Sequence, residues 1–132
     1  MTYDSKRLAK VKSKNTKVEL TVRRMIYSLG VRYRLHDPIL PGHPDIVFRG
    51  RRKVIFVNGC FWHRHQGCRR AQMPKTKLDY WVPKFSRTIQ RDKSNYKALD
   101  SAGWQYMIIW ECELSNKPAL IERIQSFLKS AH

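Results

Sequence analysis

Acidic residues are scarce in this sequence: 10 Asp and Glu stand against 27 Lys and Arg among 132 residues, which gives a formal net charge of +17. The basic residues are not confined to a low-complexity tail, and they are interleaved with Tyr, Trp and Phe. A polyanionic partner explains this balance best, and nucleic acid is the obvious candidate. A basic protein of another kind, such as a ribosome-associated one, is the less specific alternative.

Long apolar segments are missing as well. Because no run of about 18 apolar residues occurs, we expect no membrane span. The N-terminal stretch MTYDSKRLAK lacks the apolar segment of a secretory signal, which indicates a cytoplasmic protein. Residues 1–15 are basic and poorly patterned, so we interpret them as an N-terminal arm. Residues 16–132 are long enough for a single domain with one core.

Cysteine is also rare, and three cysteines cannot all pair as disulfides. Cys60, His65 and Cys68 have the spacing C-x4-H-x2-C directly after an apolar segment. Cys112 follows another apolar segment, so it closes the same site if the two segments are neighbouring strands. Three thiolates and one imidazole would complete a closed, structural zinc tetrahedron. Alternatively, Cys60 and Cys112 are small buried core residues.

Helical and strand patterns are both present. Thr16 and Glu19 form a capping-box pattern before a helix that ends at Gly30. The segments VRYRLH, DIVF and KVIFVN predict three strands, and WQYMIIW predicts a fourth that is buried on both faces. Pro83 predicts the start of a helix, and Asn116 predicts the start of a last one. This order predicts an α/β fold with a mixed sheet flanked by helices.

Because acids are scarce, their positions are informative. Asp45 begins the segment DIVF, where it is either a Mg²⁺ ligand or a turn residue. Asp92 falls within an apolar stripe of a predicted helix, so it needs a partner. That partner is an Arg or a backbone donor in one interpretation, and a catalytic His or a metal-bound water in the other. Glu19 lies at the flank of the first helix's apolar face.

His63 lies two residues from His65, next to the predicted zinc site. It is either a general base or a surface histidine or partial zinc ligand. If His63 shared one cleft with Glu19, Asp45 and Asp92, the cleft would be an acidic site on a positive surface. Phosphodiester cleavage that depends on Mg²⁺ needs that combination, because cations hold the strand and carboxylates hold the metal.

Four separated blocks of the sequence resemble one known family. They are LPGHPDIVF, VIFVNGCFWHRHQGC, RD at 91–92 and GWQYMIIWECEL. Their order and spacing are similar to those of the very-short-patch mismatch repair (Vsr) endonucleases, from about Lys12 to Leu114. The resemblance implies a bacterial enzyme with a restriction-endonuclease-like fold. It also implies nicking of DNA 5′ to the thymine of a T:G mismatch, left by deamination of 5-methylcytosine.

The resemblance also implies roles for the residues that match the family's motifs. Asp45 would be the main Mg²⁺ ligand, assisted by the main-chain carbonyl of Val57. His63 would be the general base, and Glu19 and Asp92 would complete the catalytic site. The structural Zn²⁺ would have four ligands, namely Cys60, His65, Cys68 and Cys112.

An aromatic wedge is a further implication of the resemblance. Phe61, Trp62 and Trp81 would insert beside the mismatched pair, which is already weakly held. Insertion of apolar side chains unstacks bases, and the cost is least at a mismatch. The alternative is that a Phe-Trp pair is simply buried in the core.

The sequence departs from the family's pattern in three places. Asn58 stands where a well-known member has another histidine, and an amide can contact a phosphate or water but cannot exchange protons near neutral pH. The zinc loop is one residue longer, with Gln66 and Gly67 between His65 and Cys68. The acid-x-Lys element of the wider restriction-like superfamily is absent from VIFVN. The chain therefore fits the Vsr branch or nothing in that superfamily.

The implied partners are double-stranded DNA with a T:G mismatch, a cytosine methyltransferase and mismatch repair proteins. A monomer suits a nick in one strand. Two alternative functions stay open at this point. The first is a related restriction or homing nuclease that cuts unmismatched sites. The second is a zinc-stapled DNA-binding module without catalysis.

Overall fold

The computed structural model describes residues 16–130, so the basic arm expected at residues 1–15 lies outside the described part of the chain. The order of helices and strands within this range is the one that the sequence predicts. The elements are α1 (Lys17–Ser28), β1 (Arg34–Leu35), β2 (Ile46–Phe48), β3 (Lys53–Asn58), α2 (Leu78–Ser101), β4 (Gln105–Trp110) and α3 (Lys117–Lys129).

The strands form one mixed sheet in the order β1-β2-β3-β4. The first two pairs are antiparallel, whereas β3 and β4 are parallel, with Asn58 opposite Trp110. Helix α2 makes the crossover that a parallel pair requires. Because parallel neighbours end at the same edge, the segments that follow β3 and β4 emerge side by side. The predicted zinc ligands lie in these two segments.

The sheet is covered by helices on both faces. Ile46 and Ile55 face α1 and α3, while Val47 and Val54 face α2 through Leu99. This alternation is the two-residue period of a strand, and it explains why β2 and β3 read as continuous apolar runs. The predicted α/β architecture, a mixed sheet flanked by helices, is confirmed.

Two details of the sequence prediction are wrong. Helix α2 begins at Leu78, so Pro83 lies inside the helix rather than at its start. The proline ring removes only the hydrogen bond to the carbonyl of Asp79, and the helix continues through it. Strand β4 is an edge strand that α2 covers incompletely, so Tyr106 keeps 38% of its surface exposed. The prediction that both faces of β4 are buried therefore fails on that side.

Among the helices of residues 16–130, none is both long and apolar enough to cross a membrane.

Candidate metal centres and active site

The cysteine cluster consists of Cys60, His65, Cys68 and Cys112, whose ligand atoms all lie within 4.8 Å of one another. Cys60 follows β3 and Cys112 follows β4, at the edge where this parallel pair ends. The Cys112 sulfur lies 3.5 Å from Nδ1 of His65. The His65 ring stacks on Trp110 at 4.1 Å, which holds the imidazole in orientation. The parallel pairing therefore gathers all three cysteines of the chain into one site.

The thiols of this cluster fit a zinc ion. Burial raises the pKa of the Cys60 thiol to about 12, and burial also raises the pKa of Cys112. A thiol with so high a pKa does not ionise at neutral pH unless a cation compensates the charge. Three sulfurs and one imidazole nitrogen are a donor set that Zn²⁺ takes with tetrahedral geometry. With four protein ligands such a site has no open position for substrate.

The carboxylate cluster consists of Glu19, His36 and Asp45, whose ligand atoms also lie within 4.8 Å of one another. Glu19 projects inward from α1 and is only 3% exposed. His36 follows β1 and Asp45 precedes β2, and the register that pairs Leu35 with Ile46 puts them opposite each other. The N–H of His36 donates to the carbonyl of Asp45 at 3.0 Å, which extends the ladder by one residue.

Asp45 is positioned by the sheet and desolvated by its surroundings. Its Oδ2 accepts a hydrogen bond from the N–H of Val57 at 2.7 Å. Although part of its surface stays exposed, burial raises the pKa of Asp45 to about 7. The Val57 hydrogen bond and the charge of His63 lower this pKa, while the neighbouring Glu19 raises it. Two carboxylates at close range favour a shared cation, so the cluster fits a divalent metal.

Glu19 makes two side-chain contacts within this cluster. Its Oε2 accepts from Nη2 of Arg23 and lies 2.7 Å from Nε2 of His36. The backbone N–H of Glu19 donates to Oγ1 of Thr16 at 3.2 Å, so Thr16 caps α1 as the sequence predicts. The carboxylate itself turns to the interior, where Arg23 and His36 offset part of its charge.

His63 and Asp92 form a hydrogen-bonded pair beside this cluster. Nδ1 of His63 lies 2.7 Å from Oδ2 of Asp92, and the two side chains are 30% and 20% exposed. Asp92 thus meets a histidine on the inward face of α2, where a carboxylate needs a partner. In the neutral imidazole, the bond to the carboxylate places the proton on Nδ1 and leaves the lone pair on Nε2. Because the charge of His63 lowers the pKa of Asp45, the imidazole is within electrostatic range of the carboxylate cluster.

Asn58 and Tyr96 connect the two parts of the site. Asn58 is buried at the end of β3, and its Nδ2 donates to the Tyr96 hydroxyl at 3.2 Å. Burial, together with the charges of Asp92 and Asp45, raises the pKa of Tyr96 to about 12. The hydroxyl is therefore a neutral group near both carboxylates.

The aromatic residues of the loop pack against α2. Phe61 meets Trp62 at 5.1 Å and Trp81 at 5.3 Å, edge to face in both contacts. Trp81 is 7% exposed, whereas Phe61 and Trp62 are half-buried. The Arg64 guanidinium lies 4.0 Å from the ring of Phe85 and donates to the carbonyl of Phe61 at 3.0 Å. The arginine between the two histidines therefore ties the loop to the helix.

Sequence reasoning missed His36 and Tyr96. A signal for His36 was present, because pairing VRYRLH with DIVF as antiparallel strands puts His36 opposite Asp45. For Tyr96 the signal was weaker. Its helical spacing marks an inward face, but the hydrogen bond to Asn58 depends on how α2 lies across the sheet.

The fold resembles that of a solved endonuclease. The catalytic domain of the homing endonuclease I-Bth0305I matches 88% of this chain over its own whole length, with a TM-score of 0.59 and 19% identity. The mixed sheet with its flanking helices is therefore a fold that this protein shares with a homing endonuclease catalytic domain.

Sequence comparison then gives the family. The family model of the DNA mismatch endonuclease Vsr matches residues 2–70. A type II nicking enzyme of Xanthomonas oryzae pv. oryzae is 50% identical over 121 residues, which cover 92% of this chain and 88% of that protein. The DNA mismatch endonuclease Vsr of Escherichia coli is 33% identical over 129 residues, which cover 94% and 82%. This chain belongs to the Vsr family of DNA endonucleases, as its motifs predict.

Proposed function

We propose that this protein is a Mg²⁺-dependent mismatch repair endonuclease of the bacterial cytoplasm that nicks DNA 5′ to the thymine of a T:G mismatch. The arrangement around Asp45 carries the proposal. Its desolvated carboxylate lies beside Glu19 and within electrostatic range of the His63–Asp92 pair, in a chain of net charge +17. The names of the two relatives, a nicking enzyme and a DNA mismatch endonuclease, support the same reaction.

His63 is the general base in this proposal. Asp92 accepts a hydrogen bond from Nδ1 across an Nδ1–Oδ2 distance of 2.7 Å, so the lone pair on Nε2 is available to take a proton. As the water oxygen forms its bond to phosphorus, Nε2 takes the water's proton, the ester bond to the leaving sugar oxygen breaks, and that oxygen takes a proton from solvent. Asp92 stabilises the imidazolium that results. Asn58, which cannot exchange protons, holds Tyr96 in place beside the site.

Two metals are part of the proposal. Asp45 would hold Mg²⁺ together with the carbonyl of Val57, with Glu19 beside it, and the cysteine cluster would hold structural Zn²⁺. When bound, the magnesium ion offsets the negative charge that develops on the scissile phosphate. Val57 already donates its N–H to Asp45, so the end of β3 fixes the carboxylate before any cation arrives.

Mismatch selectivity would come from the aromatic loop. Phe61, Trp62 and Trp81 form one packed group, and inserting rings from it costs least where a base pair is already weak. Because Trp81 is buried, insertion requires either that this group opens or that the rings of Phe61 and Trp62 enter the duplex first. A monomer acting on one strand, working beside a cytosine methyltransferase and mismatch repair proteins, completes the proposal.

Strand-resolved cleavage tests this function. Zinc-loaded protein is incubated with Mg²⁺ and a labelled T:G duplex, and a fully matched duplex of the same sequence is the control. We expect one nick 5′ to the mismatched thymine, no cut in the matched duplex, and loss of nicking in Asp45→Ala and His63→Ala. Double-strand cutting of the matched duplex would favour a restriction or homing nuclease. If both substitutions left the protein's action on DNA unchanged, a binding module without catalysis would be favoured.

A further inference from the structure

His36 has no role in the mechanism above, yet it lies in the carboxylate cluster. Its Nε2 is 2.7 Å from Oε2 of Glu19, and its side chain is only 14% exposed. The imidazole therefore lies within the site, beside the carboxylates that would hold the catalytic cation.

The backbone at His36 adopts an uncommon conformation to reach this position. Its φ is 49°, in the left-handed region that residues other than glycine rarely occupy. The hydrogen bond from its N–H to the Asp45 carbonyl, at 3.0 Å, holds this conformation at the end of the β1–β2 ladder. The same contact sets His36 and Asp45 opposite each other, so the fold fixes both residues together.

We propose that His36 is a nitrogen ligand of the divalent cation held by Glu19 and Asp45, and that this site binds Mn²⁺ more tightly than Mg²⁺. The proposal rests on the proposed function, because that function makes the cluster a cation site. Mg²⁺ prefers oxygen ligands, whereas an imidazole favours first-row transition metals.

The distances in the cluster suit shared ligation. All three ligand atoms lie within 4.8 Å of one another. Opposite ligands of one ion lie roughly 4.2 Å apart when each bond is about 2.1 Å long. A small rotation of the side chains therefore brings all three donors onto one ion.

Arg23 supplies positive charge to the cluster in the metal-free protein. Its Nη2 donates to Oε2 of Glu19 and lies 3.4 Å from Nε2 of His36. A bound cation would take over this charge compensation, so the guanidinium has to withdraw when the metal enters. Its side chain is 15% exposed, and an Arg in the second turn of α1 is long enough to reach solvent.

Pulsed electron paramagnetic resonance of Mn²⁺ on the zinc-loaded protein tests this ligand directly, because it detects a coordinated imidazole through its ¹⁴N coupling. His36→Asn removes the nitrogen donor with a residue that tolerates positive φ. His43→Asn is the matched control, because His43 is exposed and has a φ of 47°. We expect the coupling in the wild type and in His43→Asn, and its loss in His36→Asn. Isothermal titration should show Mn²⁺ affinity falling about tenfold or more in His36→Asn, with the Mg²⁺ affinity changing much less.

The outcomes separate this proposal from the proposed function. If Asp45→Asn abolishes Mn²⁺ binding but His36→Asn leaves the coupling and the affinity unchanged, His36 is not a ligand and the present proposal is overturned alone. If Asp45→Asn binds Mn²⁺ as tightly as the wild type, the carboxylate cluster is not the cation site and both proposals fail.

Discussion

The cysteine cluster and the carboxylate cluster are both sets of metal-ligating side chains, but the fold builds them differently. Three members of the cysteine cluster lie within residues 60–68, and the fourth follows the neighbouring parallel strand. The carboxylate cluster draws Glu19, His36 and Asp45 from a helix and from the ends of two antiparallel strands. The first offers mainly sulfur, from four side chains, whereas the second offers mainly oxygen, from three.

The two clusters also differ in how they depend on a cation. Burial raises the pKa of Cys60 to about 12 and the pKa of Asp45 to about 7. At neutral pH the thiol stays protonated without a metal, while the carboxyl is already partly ionised. The buried thiol of the cysteine cluster therefore needs a cation in order to ionise, whereas the carboxyl of the carboxylate cluster ionises in part without one. This contrast predicts that damage to one cluster affects stability and damage to the other affects catalysis.

Removing a ligand from the cysteine cluster should have the largest effect. Cys112→Ala leaves three ligands and releases the loop after β3 from the end of β4. We expect loss of zinc and a fall of several kcal/mol in the free energy of unfolding, because zinc binding contributes directly to folding. Zinc analysis and denaturant titration measure both quantities.

Ser115→Ala is the control for this substitution, because Ser115 is exposed in the 3₁₀ turn that also contains Cys112. It removes only an exposed hydrogen bond from Oγ to the Cys112 carbonyl, so it should change the free energy of unfolding by about 1 kcal/mol or less. If Cys112→Ala kept its zinc and the wild-type stability, the cysteine cluster would not be a structural metal site.

Removing the imidazole should instead act on the rate. We expect His63→Ala to lower the rate of T:G nicking by about 10²–10⁴-fold, the usual contribution of a general base. Its half-exposed position predicts a small change in stability. Single-turnover nicking measures the rate, and the zinc content of the same sample shows that the cysteine cluster is intact. A variant that nicks at the wild-type rate would remove His63 from the mechanism.

Asp45 makes the stability of the protein depend on pH when no divalent cation other than zinc is present. The folded state keeps the Asp45 proton up to a pKa of about 7, while the unfolded chain loses it near the ordinary value of 3.8. Between these values the folded state binds more protons, so the free energy of unfolding falls as the pH rises. Denaturant titrations at pH 5 and pH 7.5 should show a loss of a few kcal/mol that Asp45→Asn removes and that Mg²⁺ reverses.

Asp37→Asn is the matched control for this pH effect. The N–H groups of Ile39 and Leu40 lower the pKa of Asp37, and Arg49 contributes through a salt bridge at 2.6 Å. The stability that Asp37 supplies is lost only as the pH falls through the lowered pKa of Asp37. That loss occurs below pH 5, outside the range of these titrations. Asp37→Asn should therefore destabilise the protein equally at both pH values. An identical pH dependence in the wild type and in Asp45→Asn would contradict the proposed environment of Asp45.

The aromatic loop should give the smallest effect and lies outside both clusters. Trp62 is half-buried and contacts Phe61 at 5.1 Å. We expect Trp62→Ala to slow nicking of the T:G duplex by about tenfold, because less stacking energy is available to open the pair, while zinc content stays unchanged. If the variant nicks as fast as the wild type, the wedge does not include Trp62.

The sequence predicted the two clusters with unequal success, and the reason is physical. Cys60, His65 and Cys68 are close in the chain, and Cys112 required only that β3 and β4 be neighbours. His36 required the register of an antiparallel pair across a loop rich in Pro and Gly. Sequence patterns locate strands but do not fix that register without knowledge of the turn.

The errors in the predicted fold have similar causes. Pro83 is favourable at a helix start, yet α2 begins more than one turn before it, at Leu78. The rings of Trp81 and Phe85 stack on each other across this first part of the helix. The burial of β4 depended on its place at the edge of the sheet, which its own residues do not reveal. The sequence was therefore sufficient where one segment, or the mere adjacency of two strands, decides the outcome. It was not sufficient where a strand register or a strand's place in the sheet decides it.

One cluster should therefore maintain the fold, and the other should perform the chemistry. Asp45→Asn separates these two roles when bound zinc, thermal unfolding and strand-resolved nicking of a T:G duplex are measured on a single preparation. We expect one zinc per chain, an unfolding temperature at least equal to that of the wild type at pH 7.5 without added Mg²⁺, and no detectable nick. Loss of zinc, or nicking at the wild-type rate, would show that the two clusters do not divide these roles.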